Sequence, residues 1–569
     1  MSLFGSIQTA KNTLQAMQIG LQVVGNNIAN ADTDGFIREK ANFAPTPVQE
    51  LGNLTIGLGV KVDSITQVVD EFLGEQLRGA TGERVSADLQ NEAYKDLERL
   101  LNELSSNDLS TSLTDFFGSI EDTLNPTSGD ALSVRNLAVL EGTQLAGDIQ
   151  RIEQSARELR DGYDEQIVIA TEQVNRLAEE IQALNIRITQ VEGGTAGTSD
   201  AGALRVQRNN AVNDLNELLD VTVTEQPAGG LSISVGGEFL VFEGQRRELT
   251  ISSGDDTQEA TSSVQFADSG KVIDPSGGRI HGLTVARDDI VDGFRDSLDE
   301  FAGTLINEFN KVFSQGQGLE GFDSLTAQDR VTDADAALDQ AGLSFSPTTG
   351  SFDFVVTDTS TGGSTTAQID VRLVGDEDDT TLNNLASQLN AVTGVTAAVD
   401  ANGRLSITGD SESIRFSFSG DTSGALAALG LNTFFTGSDA ENISVNQELA
   451  GIQNAGKFAS SSDGVGSGTG NATRLAELFD SPLDTLGGAS IAESYDQIVN
   501  NLAQESTVAG SVAEGLAVYE ATLSNEFQAI SGVSIDEEAI NMISLQRIFQ
   551  ATARYIATIQ EMLDTLVSL

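Results

Sequence analysis

Residues 3–28, LFGSIQTAKNTLQAMQIGLQVVGNNI, decide how this chain is read. Leu3, Ile7, Ala10, Leu14, Met17, Leu21, Val24 and Ile28 follow the alternating steps of four and three that line one seam of a coiled-coil helix. The far end repeats the pattern with Met542, Leu545, Phe549, Thr552, Ile556, Ile559, Leu563 and Leu566. A chain with an association helix at each terminus reads as a building block. Its candidate assembly interfaces are these seams together with Asn26, Asn27 and Asn30. The three asparagines lie off the seam and are poor helix formers, which fits either contacts between subunits or ordinary helix-end polarity.

Charge follows the same division. The 569 residues carry 31 Lys and Arg against 85 Asp and Glu, a formal charge of -54. Yet residues 1–44 balance Lys11, Arg38 and Lys40 against Asp32, Asp34 and Glu39, and residues 540–569 balance Arg547 and Arg554 against Glu561 and Asp564. Neutral ends can gather in many copies without strong repulsion, while the acidic middle stays solvated. No Lys/Arg cluster offers a phosphate-neutralising patch, so neither nucleic acid nor an anionic membrane is an expected partner.

The chain contains no cysteine, so no disulfide framework or thiolate site is expected. Gln8, Thr9, Asn12, Gln15 and Gln18 interrupt the first helix, which is therefore not read as a cleavable secretory signal. No run is long enough to cross a bilayer.

Seven prolines, Pro45, Pro47, Pro126, Pro227, Pro275, Pro347 and Pro482, divide the chain into segments free to be helical. After the extended stretch with Gly52, Gly57 and Gly59, helical patterning is expected from about Ile65 to Leu104, then a short helix over 113–124. The strongest internal heptad is Ile167, Ala170, Val174, Leu177, Ile181, Leu184, Ile188 and Val191, stopped by Gly193 and Gly194 and followed by a helix over 203–219. The period then becomes two, through Val221, Val223, Leu231, Ile233, Val235, Phe239 and Val241, with turns at Gly229-Gly230 and Gly236-Gly237. Helix returns over 283–312. Residues 316–484 are Gly-, Ser-, Thr- and Asp-rich with short alternating runs, a helix over 382–389 and a linker-like stretch at 460–470. Tyr495, Leu502, Ala509, Leu516, Leu523 and Ile530 then recur every seven residues, and Ser534 with Glu537 forms a capping box for the last helix.

The expected fold class is α+β: a long coiled-coil helical bundle built from both termini, with β-rich domains inserted in the middle. Residues 1–60 with 533–569 form the assembly core; 61–220, 283–315 and 485–532 form a helical bundle domain. Residues 221–282 form a small β domain, and 316–484 a β-rich outer insertion with a linker.

Family resemblance enters with Asn26-Asn27-Ile28-Ala29-Asn30-Ala31-Asp32-Thr33-Asp34-Gly35-Phe36, which is similar to the N-terminal signature of the axial rod, hook and hook-associated proteins of the bacterial flagellum. The last helix, from Asn541-Met542-Ile543-Ser544-Leu545-Gln546-Arg547, resembles their C-terminal helix. The helix over 113–124 with Asn125-Pro126, the coil ending at Ile188, Gln207-Arg208-Asn209, Gly236-Gly237-Glu238-Phe239 and Gly278-Arg279-Ile280-His281-Gly282 narrow the resemblance to the family of first hook-associated proteins. It covers most of 1–315 and 490–569. Where that family shows Asp-Gln-Arg-Asp, this chain has Val206-Gln207-Arg208-Asn209, and 316–484 matches nothing family-wide, although 395–431 resembles small β modules of flagellar surface proteins. The resemblance implies an extracellular structural subunit of the hook–filament junction, exported without a cleavable signal peptide. Its implied partners are further copies of itself in a ring or tube, the hook protein, a second junction protein and an export chaperone at the C-terminal helix.

A hook or distal-rod protein is the alternative within the superfamily, and a secreted adhesin or hydrolase with coiled-coil ends the alternative outside it. No nucleophile elbow or phosphate loop is present, and the single His281 reads as a turn or strand-end residue, so no catalytic, cofactor or metal site is expected. Asp376-Glu377-Asp378-Asp379 offers clustered oxygens for calcium but lacks the spaced ligands of a calcium loop, and reads as solvated.

Each terminal helix has one apolar seam and little else to bury. The ends are therefore expected to be largely disordered in an isolated chain and to order when neighbours cover them. Amide hydrogen exchange on the soluble monomer checks this: residues 3–28 should exchange rapidly, and strong protection there contradicts the expectation.

Overall fold

A computed structural model describes the chain except for residues 1–2, 34, 48, 52–53, 103–107, 126–130, 193–200, 227–228, 243, 253–261, 467 and 568–569. The described helices are α1 (Leu3–Ala29), α2 (Glu71–Asn102), α3 (Leu109–Asp122), α4 (Ala131–Glu192), α5 (Gly202–Leu218), α6 (Gly278–Val285), α7 (Asp292–Phe313), α8 (Leu382–Asn390), α9 (Ala425–Ala428), α10 (Gly470–Glu477), α11 (Ile491–Ser531) and α12 (Ile535–Val567). No described helix is long and apolar enough to cross a membrane. The chain forms two compact units, one of residues 1–92, 161–287 and 507–569, the other of 93–160 and 288–506. The α+β class expected from the sequence is observed, with long terminal helices and internal sheets.

In the first unit β1 (Glu39–Pro45), β2 (Gln49–Leu51), β3 (Leu54–Ile56) and β4 (Val60–Gln67) lie between α1 and α2. β1 and β4 pair antiparallel from Glu39↔Gln67 to Pro45↔Val60, and both pack on α1. Ile65 thus lies in a strand, where the sequence pattern suggested helix. Val60, Val62, Ile65 and Thr66 are β-branched and gain a cross-strand partner in β1. Helix α2 begins only after Asp70, whose Oδ1 accepts from the Leu73 N–H at 3.1 Å.

The α4 heptad buries Ile167, Ala170, Val174, Ile181, Leu184 and Ile188, while Val191 is exposed. Gly193 and Gly194 lie outside the described residues. The small sheet has order β5 (Thr222–Glu225), β6 (Leu231–Val235), β7 (Glu238–Phe242) and β8 (Gln245–Arg246), and β9 (Leu249–Ser252) pairs with β10 (Ser263–Phe266). Gly236 and Gly237 both take positive φ (56° and 80°), as a two-residue hairpin between β6 and β7 requires. Asn185 on α4 anchors this sheet, donating to Leu231 O (2.9 Å) and accepting from Leu231 N (3.0 Å). The helix expected over 283–312 is interrupted by a π-helical turn, Ala286–Val291, beside which buried Arg287 donates to Asp164 and to Ser262 Oγ (2.9 Å).

Among the described residues the second unit shows two cores. One is the β module: sheet β11 (Ser324–Thr326), β15 (Leu405–Gly409), β14 (Val395–Val399) and sheet β13 (Gly363–Val371), β12 (Gly350–Asp358), β16 (Ile414–Ser419), with α8 packed on β14. Inward residues of the alternating runs, Phe352, Phe354, Val356, Phe416 and Phe418, fill it. The other is aromatic: Phe116 of α3 and Phe309 and Phe313 of α7 enclose Phe434, at ring-centroid distances of 5.2 to 5.4 Å. Asn310 clasps the same segment, accepting from Phe434 N and Phe435 N (both 3.0 Å) and donating to Phe435 O (2.9 Å). Gly142 permits this approach, since a Cβ there would lie 2.6 Å from the Phe434 ring.

Ser460 and Ser461 belong to a stretch whose composition reads as a linker. They are buried instead, Ser460 accepting from Arg135 Nη2 at 2.6 Å and Ser461 exchanging backbone hydrogen bonds with Gln317.

Asp329 in this unit is largely buried with Arg404 as its charge partner, and burial pushes its carboxyl from 3.8 up to about 6 despite Arg404. The folded pKa exceeds the unfolded one, so its ionised form is penalised by folding, and stability falls as pH rises from about 4 to about 6. Asp329→Asn should therefore raise stability above pH 6, by about 1–2 kcal/mol, with the gain vanishing near pH 4. Urea denaturation of both proteins across this range checks it.

Candidate assembly interface

Against the expectation that the ends are disordered in an isolated chain, the terminal helices meet within one chain, because each supplies the partner that neither has alone: α1 packs along α12. Small residues on α1 allow the approach. Ala10, Ala16 and Gly20 are buried, and a Cβ at Gly20 would lie 3.0 Å from Phe43 Cζ and 3.2 Å from Leu545 Cδ1. Of the seam positions, Met17, Val24 and Ile559 are buried, while Ile7, Leu14, Leu21, Ile28, Met542, Leu545, Phe549, Ile556 and Leu563 are half-buried. Leu3 and Leu566 fall in the helices, but their side chains lie outside the described residues.

The three asparagines have different surroundings. Asn27 is fully buried and acts as a clamp, donating from Nδ2 to Glu39 O (2.8 Å) and accepting at Oδ1 from Glu39 N (3.0 Å). It thereby supplies both backbone groups of the first β1 residue, fixing the strand to the end of α1. Asn26 is exposed, and Asn30 is half-buried with Nδ2 donating to Asn26 O at 2.9 Å. Gly35, in the loop after them, has φ 70°, and a Cβ there would overlap the Asn210 side chain.

The hairpin and the helix turn complete the frame. Asn12 Nδ2 donates to Leu58 O (2.9 Å). Arg38 N donates to Ser531 O (2.9 Å), and Arg38 Nη1 to Glu537 Oε2 (2.8 Å). The capping box expected at Ser534 is half made: the Glu537 N–H reaches Ser534 Oγ at 3.4 Å, but its carboxylate pairs with Arg38. That exchange ties the start of α12 to the strand after the signature loop.

A second apolar series remains uncovered. Ile540 (67 % exposed), Ile543, Ile548, Tyr555 and Met562 (54 %) project from α12, and Val508, Val512, Val518, Tyr519 and Ile530 project from α11. Ile530 was expected on the inward 495–530 repeat and is exposed instead; the α12 stripe was missed, although the signal was present: Ile548, Tyr555 and Met562 each stand one residue before a seam position and repeat every seven. A helix apolar on two faces has more surface to bury than one partner covers.

Among the described residues no group of three or more His, Cys, Asp or Glu could hold a metal ion. In the acidic 376–379 loop, buried Asp379 accepts N–H bonds from Val374 (2.8 Å), Gly375 (2.7 Å) and Asp376 (3.2 Å), and Arg372 pairs with Asp376.

Comparison with known proteins adds three family matches. Residues 94–326 match the flagellar hook-associated protein FlgK helical domain, 524–569 the flagellar basal body rod FlgEFG protein C-terminal family, and 7–36 the flagella basal body rod protein family. The flagellar hook-associated protein 1 of Escherichia coli (strain K12) is 26% identical over 578 residues, covering 99% of each chain. That of Bacillus subtilis (strain 168) is 24% identical over 580 residues, covering 100% of this chain and 98% of its own. The solved flagellar hook junction protein FlgK from Burkholderia pseudomallei aligns with 80% of this chain and 100% of its own at 16% identity and a TM-score of 0.48.

The asparagine clamp yields a test. Asn27→Asp keeps the acceptor but turns a carboxylate toward Glu39 O, so it should destabilise the first unit by about 1–3 kcal/mol, while Asn26→Asp stays near wild type. Urea melts of the two variants make the comparison.

Proposed function

We infer the function from the premise that this chain belongs to the flagellar hook-associated protein 1 family: it is a structural subunit of the hook–filament junction that polymerises through its terminal helices. One observation carries the physical side of this reading, the uncovered apolar series along α11 and α12. With α1 already packed on α12, that series is the surface left for neighbouring copies. Its burial is worth about 25 cal/mol per Å² of apolar area removed from water, and the near-neutral termini add little repulsion. The terminal seams and Asn26, Asn27 and Asn30 set the shape of that surface, and the half-buried seam residues gain further cover in the assembly.

The subunit sits outside the cell on the flagellum, between the hook protein and a second junction protein. It is exported unfolded without a cleavable signal, after an export chaperone has held its C-terminal helix. Its work is mechanical, requires no cofactor and includes no catalysis. Residues 1–60 with 533–569 serve as the assembly core, and the β-rich insertion faces outward.

Charge placed on the uncovered face separates assembly from folding. Ile543→Asp with Tyr555→Asp should leave the thermal melt of the soluble chain nearly unchanged, because both side chains are exposed, yet abolish junction formation and motility in cells lacking the native copy. Deleting 540–569 should have the same cellular effect. Swimming assays with electron microscopy of hook ends provide the readout, and normal motility of the double variant refutes the assignment.

A further inference from the structure

We propose that an apolar patch at the start of α4, in the second unit, receives the exposed stripe of α11 from a neighbouring copy of the chain. The inference rests on the assembly reading above and names the surface on which the α11 part of the uncovered series lands.

Six large apolar side chains of the second unit are exposed among the described residues, Leu132, Leu137, Leu140, Val374, Ile452 and Val465, and all but Val374 gather in one place. Leu132, Leu137 and Leu140 (56 % exposed) project from the first turns of α4. The segments that carry Ile452 and Val465 run beside them. A Cβ on Gly456 would lie 3.8 Å from Leu132 Cδ2. Gly456 O accepts from Leu319 N (2.7 Å) and Gly318 O from Gly466 N (2.9 Å), which joins both segments to the same strip of backbone. The one charged residue between Leu132 and Leu140 is Arg135, which is buried and turned inward onto Ser460. Charge begins at the rim, where Lys457 pairs with Glu448 (2.8 Å) and Glu320 and Asp463 are exposed.

Size and complementarity pick the occupant. The five side chains expose roughly 400 Å², as much as the apolar patches that mark binding sites on single chains, but about half of the roughly 800 Å² that each partner contributes to a free-standing interface. The patch therefore suits a partner already held by other contacts, as a copy joined through its terminal helices is. Copies related by rotation about a tube axis meet through two different surfaces, and α11 offers the second. Val508, Val512 and Tyr519 are exposed and fall on one face, at steps of four and seven. Residues 507–519 contain a single charge, Glu514, so this stretch of an otherwise acidic chain can approach the rim acids Glu320 and Asp463 without strong repulsion. At a rise of about 1.5 Å per residue the two strips are comparable in length, about 12 Å for 132–140 and about 17 Å for 508–519.

The test expresses full-length variants in cells lacking the native copy and quantifies them in sheared flagella, alongside thermal melts of the purified chain. Leu140→Glu should incorporate roughly tenfold less than wild type or worse with an unchanged melt, while Val374→Glu, away from the patch, should match wild type. Should Leu140→Glu unfold, Leu140→Ser decides the matter. Because the chain contains no cysteine, Leu140→Cys combined in turn with Val508→Cys, Val512→Cys or Tyr519→Cys gives clean reporters. Flagella oxidised with copper phenanthroline should show a ladder of disulfide-linked multimers from at least one pair and none from the single variants. Wild-type incorporation by both Leu140→Glu and Leu140→Ser overturns the patch while leaving the assembly reading intact; an absence of wild-type chain from flagella overturns both. Equal loss in Val374→Glu refutes the proposal. Loss in Leu140→Glu with no ladder from any pair assigns the patch to a different protein or a different face and refutes it too.

Discussion

The pairing of α1 with α12 is the constraint on which the first unit depends. Neither helix can bury its seam alone, and each finds its partner at the opposite end of the chain. Everything near the pair is arranged to hold that register. Asn27 supplies the backbone groups of Glu39, the β1–β4 hairpin lies along α1, and Arg38 ties Ser531 and Glu537 to the start of the strand. The small residues of α1 set how closely the two helices approach, since Gly20 has no room for a side chain beside Leu545.

This arrangement explains why a coiled-coil pattern can serve both folding and association. The seam is partly covered inside the chain, and the face one residue away on the helical wheel is exposed, where the proposed assembly places neighbours. In the proposed assembly the second series of α12, through Ile548, Tyr555 and Met562, adds to the drive to polymerise.

Much of this was legible in the residues. Heptads at both ends, the 167–188 coil, the switch to alternating strands near Val221 and the Gly236-Gly237 hairpin turn all follow from periodicity and turn chemistry. What escaped reading had tertiary causes. Ile65 joins a strand because β1 offers it a partner, a preference invisible in the local pattern. Ser460 and Ser461 look like linker by composition yet are buried, because Arg135 and Gln317 satisfy their polar groups. Asn27 was singled out for being unlike its neighbours, but its role as a backbone clamp depends on a strand twelve residues away. The outward stripe was missed because a second, offset apolar series is easily absorbed into a seam already assigned.

The distance in sequence between α1 and α12 has one more effect. Synthesis delivers the second helix on the order of five hundred residues after the first, so the binding-competent surface cannot exist until nearly the whole polypeptide has emerged. A prematurely terminated product carries α1 without the helix on which it packs.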